Sequence, residues 1–309
     1  MDFALSAEQE ELRAQARAFL AEHQAPDWEQ LAELGWTGVS VAEDAGGAGL
    51  GFLEEAVLVE ELARALYHGP FFSTVALVLP ALPAGEQRAV AAGESSWTLA
   101  LEPLVPDLDT AARIAVAGED GVYELVGCER TVLETIDESR PLGTVSGGER
   151  GSRLAGAEAV PMLRRRAYAA LAMEACGVGH RALELAVEHA NTREQFGRPI
   201  GSYQAVSHAL ATTYTELELA RSLALWAAWC VAVDEPQADL AAASAKAQAA
   251  EAAVAACERS IQVHGGIGFT WEHVLHRLYK RALGIQAWGA SGAQLRAEVA
   301  AALFDGKGA

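Results

Sequence analysis

Positive charge is scarce in this chain: 23 lysines and arginines stand against 42 aspartates and glutamates, for a formal charge of −19 over 309 residues. Such an excess is repelled by nucleic acid and anionic membrane at long range, which argues against both as partners and leaves any anionic ligand to local arginines. Cysteine is sparse as well. Cys128, Cys176, Cys230 and Cys257 are widely spaced with no C-x-x-C pair, so neither a zinc knuckle nor a redox motif is present, and reduced, buried thiols are expected. Also missing are an apolar run of bilayer length and, at the N-terminus, a basic segment leading into an apolar core. These absences predict a cytoplasmic protein.

What the chain does have is apolar mass arranged in helical periods. Its apolar fraction is 51%, ample for large cores, and at about 100–200 residues per domain the length suggests two or three units. Ser6-Ala7-Glu8-Gln9 reads as a capping box that opens a helix running to about Glu22, with Leu12, Ala16, Phe19 and Leu20 on one face. A short helix is expected over 27–35, with Trp28 and Leu31 inward. The glycine-rich Ala45–Gly51 lacks the G-x-G-x-x-G register and reads as a mobile connector. Leu53–Tyr67 is amphipathic and stops at Gly69-Pro70, and another helical piece covers 72–79.

From about Ser96 the pattern changes to short β-prone runs at 97–101, 113–116, 122–126 and 131–133, with Glu119-Asp120-Gly121 as a hairpin turn. Pro161 suits a helix start, and four long helices are predicted over 162–190, 202–233, 237–263 and 271–304. The expected domains are 1–95, 96–160 and 161–309.

Between the first two long helices lies the polar turn Asn191–Gln204. Arg193 offers a fork for a diphosphate, glycines allow tight turns, Phe196 and Tyr203 provide flat faces, and Ser202 is placed to cap the next helix. A second stretch, Gln262-Val263-His264-Gly265-Gly266-Ile267-Gly268-Phe269-Thr270, follows another long helix. His264, His273 and His276 do not fit the spacing of a zinc helix, so no metal site is expected. Arg164, Arg165 and Arg166 are adjacent and cannot share one helix face, which reads as a solvated helix start or a contact with CoA phosphates.

The two stretches resemble the paired signatures of the acyl-CoA dehydrogenase family. Leu31–Trp36, Glu60–Ala65 and Gly69-Pro70-Phe71 are similar to that family's N-terminal helical part. The resemblance implies a mainly α fold, with an N-terminal helical domain, a middle β domain truncated around Leu101-Glu102-Pro103, and a C-terminal four-helix bundle. It also implies FAD. Arg193, Gln195, Phe196, Ile200, Tyr203 and Gln204 match positions near the dinucleotide, while Gln262, Gly265 and Gly266 match a clamp contributed by a neighbouring subunit.

Chemistry in that family removes a proton α to a thioester carbonyl with a glutamate, while the β-hydrogen leaves as hydride to the flavin. Matching the motif puts the usual base positions at Gly289 and Ala167, and Tyr168 stands where many members carry an arginine. Glu272 reads as an early-helix acid favoured by the macrodipole. Glu174 is the candidate replacement, about 10 Å along the helix from Ala167, with a paired carboxylate inside the bundle as its alternative reading.

Retained cofactor motifs beside missing bases imply a subunit of a heteromeric enzyme, a heterotetramer in lipid or steroid catabolism. A homologous chain would bear the glutamate that desaturates an acyl-CoA thioester, and electron-transfer flavoprotein is a further expected partner. A self-sufficient homo-oligomer with a relocated base, and a non-redox scaffold, stay open.

Overall fold

The computed structural model describes residues 4–23 and 25–304. Helix α1 (Ala7–Glu22) begins in the expected capping box: Ser6 N–H donates to Gln9 Oε1 at 2.9 Å and Gln9 N–H to Ser6 Oγ at 3.2 Å. Helix α2 (Trp28–Glu33) repeats the device with Asp27 and Gln30 and buries Leu31. The glycine-rich stretch that follows is no loose connector. Ala48, Gly49 and Leu50 donate N–H groups to the carbonyls of Gly38, Val41 and Val39, so the backbone folds flat onto its own preceding turn.

Helix α3 (Phe52–Arg64) is buried almost throughout, including Glu55, Glu60 and Glu61. Carboxylates tolerate burial only when paired, and each has its arginine: Arg166 at 2.6 Å, Arg221 at 2.9 Å and Arg17 at 2.6 Å. A wide π-helical segment, Phe72–Val78, and helix α4 (Ala84–Ala91) complete this part.

Strands β1 (Trp97–Ala100), β3 (Arg113–Gly118), β4 (Gly121–Val126) and β7 (Glu149–Gly156) form one sheet in the order β1-β3-β4-β7, with only β1 and β3 parallel. A second sheet contains β2 (Val105–Pro106), β6 (Leu142–Ser146) and β5 (Glu129–Val132). The hairpin lies where the sequence puts it, with Gly118 opposite Gly121. Strands β2, β6 and β7 carry no apolar alternation that announces them; most of β7 faces solvent.

The C-terminal part consists of α5 (Ala159–Thr192), α6 (Gln204–Ala232), α7 (Ala238–His264), α8 (Leu275–Ala287) and α9 (Gly292–Phe304). Helix α5 is the central one, packing on α3, α6, α7 and α8. Alanine and glycine along α5 and α7 let the helix axes approach closely. Pro161 is the third residue of α5, still within a first turn whose N–H groups have no intrahelical partner.

The predicted single helix 271–304 is a correction: it starts at Leu275 and breaks between Ala287 and Gly292. Gly289 takes a left-handed φ of +70°, and Ser291 with Gln294 caps the restart. The buried Lys246 ammonium fills the gap, donating to the carbonyls of Trp288 at 2.7 Å and Ala290 at 2.8 Å.

At the α3–α5 crossing, a Cβ on Gly177 would lie 2.1 Å from the Glu60 carbonyl oxygen. Gly177→Ala is therefore expected to cost about 1–3 kcal/mol through overpacking, read as a lower denaturant midpoint at unchanged slope. An unaltered midpoint would show that the two helices part without penalty.

Candidate functional site

Helix α5 ends at Thr192, and Arg193 N–H closes the last turn on the His189 carbonyl at 2.8 Å. The chain then makes a miniature hairpin, β8 (Glu194–Gln195) against β9 (Arg198–Pro199), turned by Phe196 at φ +53° and Gly197 at φ +78°. Two successive left-handed residues are what a two-residue turn matching strand twist requires. Phe196 is 94% exposed at the tip. Tyr203 OH donates to the Gln195 carbonyl at 3.0 Å, and the Arg198 guanidinium lies 4.1 Å over the Tyr203 ring. Ile200 is half-buried behind them and Gln204 opens α6, exposed.

Ser202 does not cap α6. It sits in a short 3-10 turn and donates its hydroxyl back to the Pro199 carbonyl at 2.7 Å, leaving Tyr203 at the cap position without a side-chain acceptor.

The second segment arrives at the same end of the same chain. Gln262, Gly265 and Gly266 are exposed, and Gly265 ends α7 with φ +67°. Added Cβ atoms on Gly197, Gly265 and Gly266 would meet nothing within 4 Å. The two segments are joined by imidazoles: His264 stacks on His189 at 4.3 Å and faces His273 at 4.5 Å. His189 carries no local signal; only the parallel ends of α5 and α7 make it part of the cluster. Around it Phe269 and Trp271 are exposed, and the Arg193 guanidinium has no carboxylate partner among the described residues.

The reaction side lies deep in the same chain. An added Cβ on Gly289 would meet Tyr168 Cε1 at 3.1 Å, and Tyr168 OH accepts the Ala290 N–H at 3.2 Å, so the break after α8 packs against the residue that follows Ala167 on α5. Both usual base positions are empty of acid: Ala167 is fully buried and Gly289 has no side chain. Glu174 takes its alternative reading. It accepts from both Nη atoms of Arg140, stands 3.8 Å from Arg281 Nη1, and is buried. Of the adjacent arginines, Arg164 pairs with Glu102 at 3.4 Å and Arg165 with Asp234 at 3.1 Å. Arg166 departs from the solvated expectation: it is buried against Glu55 and the Phe52 ring. All four cysteines are free thiols, Cys128 half-buried and the others buried; burial pushes the Cys176 thiol well up, out of nucleophilic range.

Architecture gives the class first. The ChsE4-ChsE5 complex from Mycobacterium tuberculosis superposes with a TM-score of 0.89 over 98% of this chain and 99% of that one, at 24% identity, which fixes the fold alone. The Tcur3481-Tcur3483 steroid ACAD superposes at 0.88 with 28% identity, over 98% of this chain and 99% of its own. Sequence then fixes the family. Residues 6–84 match the acyl-CoA dehydrogenase N-terminal domain and 165–304 its C-terminal domain. The acyl-CoA dehydrogenase IpdE2 of M. tuberculosis is 35% identical over 285 residues, 88% of this chain and 85% of that protein. The chain belongs to the acyl-CoA dehydrogenase family, whose members are FAD-dependent enzymes. No described helix is long and apolar enough to cross a membrane.

The imidazole cluster sets a pH dependence. Partial burial, then the charges of His264 and Arg193, push His189 down from its ordinary value; burial, then His264, His189 and His276, do the same to His273. A lowered folded-state pKa means that the stability from these rings is complete above about 6.5. It is lost as pH falls through the lowered values. Imidazole NMR titration is expected to give midpoints below about 6.5 for both; a midpoint at or above that value for His189 would contradict the stacking.

Proposed function

We propose that this chain is the base-lacking subunit of a heteromeric acyl-CoA dehydrogenase: it grips FAD, and a homologous chain supplies the glutamate that desaturates an acyl-CoA. The observation that carries this is the contrast between the two ends of the chain. One end presents an exposed Arg193 with no carboxylate partner among the described residues, beside open glycines; the other has Gly289 and Ala167, neither of them an acid, at the two positions where the family resemblance puts the base.

The exposed end fits a dinucleotide. Arg193 supplies a guanidinium fork for the diphosphate, Phe196 and Tyr203 offer aromatic faces, and Gly265-Gly266 lets a diphosphate or a partner backbone come close where side chains would intervene. Gln195, Ile200 and Gln204 flank them as further cofactor contacts, while Gln262 with Gly265 and Gly266 forms the clamp that one subunit offers to its neighbour's dinucleotide. FAD, when bound, accepts the β-hydrogen as hydride. Proton removal falls to the partner, because a carboxylate already held by Arg140, as Glu174 is, is poorly disposed to take a proton from carbon. Two related solved structures are pairs of chains, ChsE4-ChsE5 and the Tcur3481-Tcur3483 steroid ACAD, which supports an unlike partner and a bulky acyl-CoA in lipid or steroid catabolism. Electron-transfer flavoprotein is the proposed electron acceptor and the cytoplasm the proposed location.

Co-expression with a full-length homologue is expected to give a yellow complex that neither chain gives as well alone. Arg193→Ala should weaken FAD binding by about tenfold to a hundredfold, the loss of one charge-assisted pair, without unfolding the chain. Full dehydrogenase turnover by this chain purified alone would remove the proposal.

A further inference from the structure

Five ionisable side chains meet where α5, α8, the end of the N-terminal helices and the β part come together: Asp107, Asp137, Arg140, Glu174 and Arg281. Asp107 is 1% exposed, Glu174 3% and Asp137 6%. Arg140 is bonded to Glu174 and stands 3.8 Å from Asp107; Arg281 stands 3.3 Å from Asp137 and 3.8 Å from Glu174. Among the described residues no other cation forms an ion pair with these acids, so three carboxyl groups face two guanidinium groups. A guanidinium does not give up its proton in a protein. With all three acids ionised, one negative charge would be left over in the interior, and an uncompensated buried charge is removed by taking up a proton.

Contacts decide which acid takes it. Glu174 accepts from both Nη atoms of Arg140. Asp137 Oδ1 accepts the Ser139 N–H at 2.9 Å and the Ser139 hydroxyl at 2.5 Å, with the Arg281 charge beside it. Asp107 receives no hydrogen bond from either arginine: its Oδ2 has no partner, and its Oδ1 is 3.8 Å from Arg140 Nε, beyond bonding reach. The Ser73 hydroxyl faces Asp107 but gives its own proton to the Pro70 carbonyl at 3.2 Å, so toward Asp107 that oxygen can only accept. A protonated Asp107 supplies the donor that an ionised one lacks.

We propose that Asp107 carries a proton at neutral pH, that this proton makes the buried cluster neutral, and that its loss at higher pH loosens the joint between the N-terminal helices, the β part and the helical bundle. Every part of that joint faces Asp107: Arg140 from the connection between β5 and β6, Arg281 from α8, Glu174 from α5, and Tyr67, its hydroxyl held neutral by burial, from the end of α3. The Asp107 backbone is tied in as well, its N–H donating to the Pro141 carbonyl at 3.0 Å. Burial, against the pull of Arg140 and Arg281, pushes the Asp107 carboxyl above its ordinary value. Stability from a carboxyl raised in the fold is complete below about 3.9 and is lost as pH rises through the raised value. Neither FAD nor a second subunit enters this inference.

In carbon-13 NMR of the full chain, the Asp107 Cγ resonance, assigned by through-bond correlation to its own backbone, is expected at neutral pH to have the shift of a neutral acid. Asp107→Asn keeps the shape of the protonated acid and cannot ionise. In denaturant titrations between about pH 5 and about pH 7, the folding equilibrium of the unaltered chain should fall relative to that variant by about tenfold per pH unit, the linkage of one proton. A carboxylate shift for Asp107 at neutral pH, or a stability gap between the two proteins that does not change with pH, would each overturn the proposal. The NMR measurement decides it whether or not Asp107→Asn folds.

Discussion

A single guanidinium, that of Arg281, ties α8 to two stretches of chain far apart in sequence. From α8 it reaches the Tyr67 carbonyl at the end of the N-terminal helices, and Ser139 and Asp137 in the connection between β5 and β6 of the three-stranded sheet. Burial, and then Arg140, push its pKa down from the ordinary arginine range; burial pushes the Asp107 carboxyl up. Neither direction favours the charged form, so the cluster holds together only because its members neutralise one another. Removing one partner from such a set strands the others in a low-dielectric interior. The three parts of the fold therefore meet through charge as much as through apolar packing.

The same logic runs along α3, whose buried glutamates each answer an arginine on a different helix: Arg17 on α1, Arg166 on α5 and Arg221 on α6. Apolar area alone is indifferent to rotation and register, and alanine surfaces especially so. Paired charges at fixed places select one alignment out of the many that alanine stripes would accept. In a chain with 42 acidic and 23 basic side chains, many of its arginines are committed to this structural work. Arg193 and its neighbour Arg198 are not: neither has a carboxylate partner among the described residues.

That difference separates two regions of the chain. The surface around Arg193 is exposed. The interior around Gly289 is closed and satisfied: Lys246, its pKa lowered to about 8 by burial, caps the carbonyls of the broken helix, and Tyr168 seats the next N–H. The groups packed around Gly289 hold backbone in place.

Residues within one turn of each other were legible in the sequence. The capping box of Ser6 and Gln9, the β3–β4 hairpin and the end of α7 at Gly265 all follow from local spacing. What the sequence concealed is non-local. The α8–α9 break needs Lys246, more than forty residues away, to satisfy its carbonyls; β7 pairs with β4 despite a solvent-facing pattern; His189 joins His264 only because two helices end side by side. Ser202 shows the converse: a cap-competent residue in the right place whose hydroxyl was taken by the preceding turn. Capping, periodicity and turn chemistry act within four residues, so the chain states them outright. Charge pairing and carbonyl satisfaction are settled between residues that only the finished fold brings within about 3 Å, and those decided that the Glu174 carboxylate is held by Arg140.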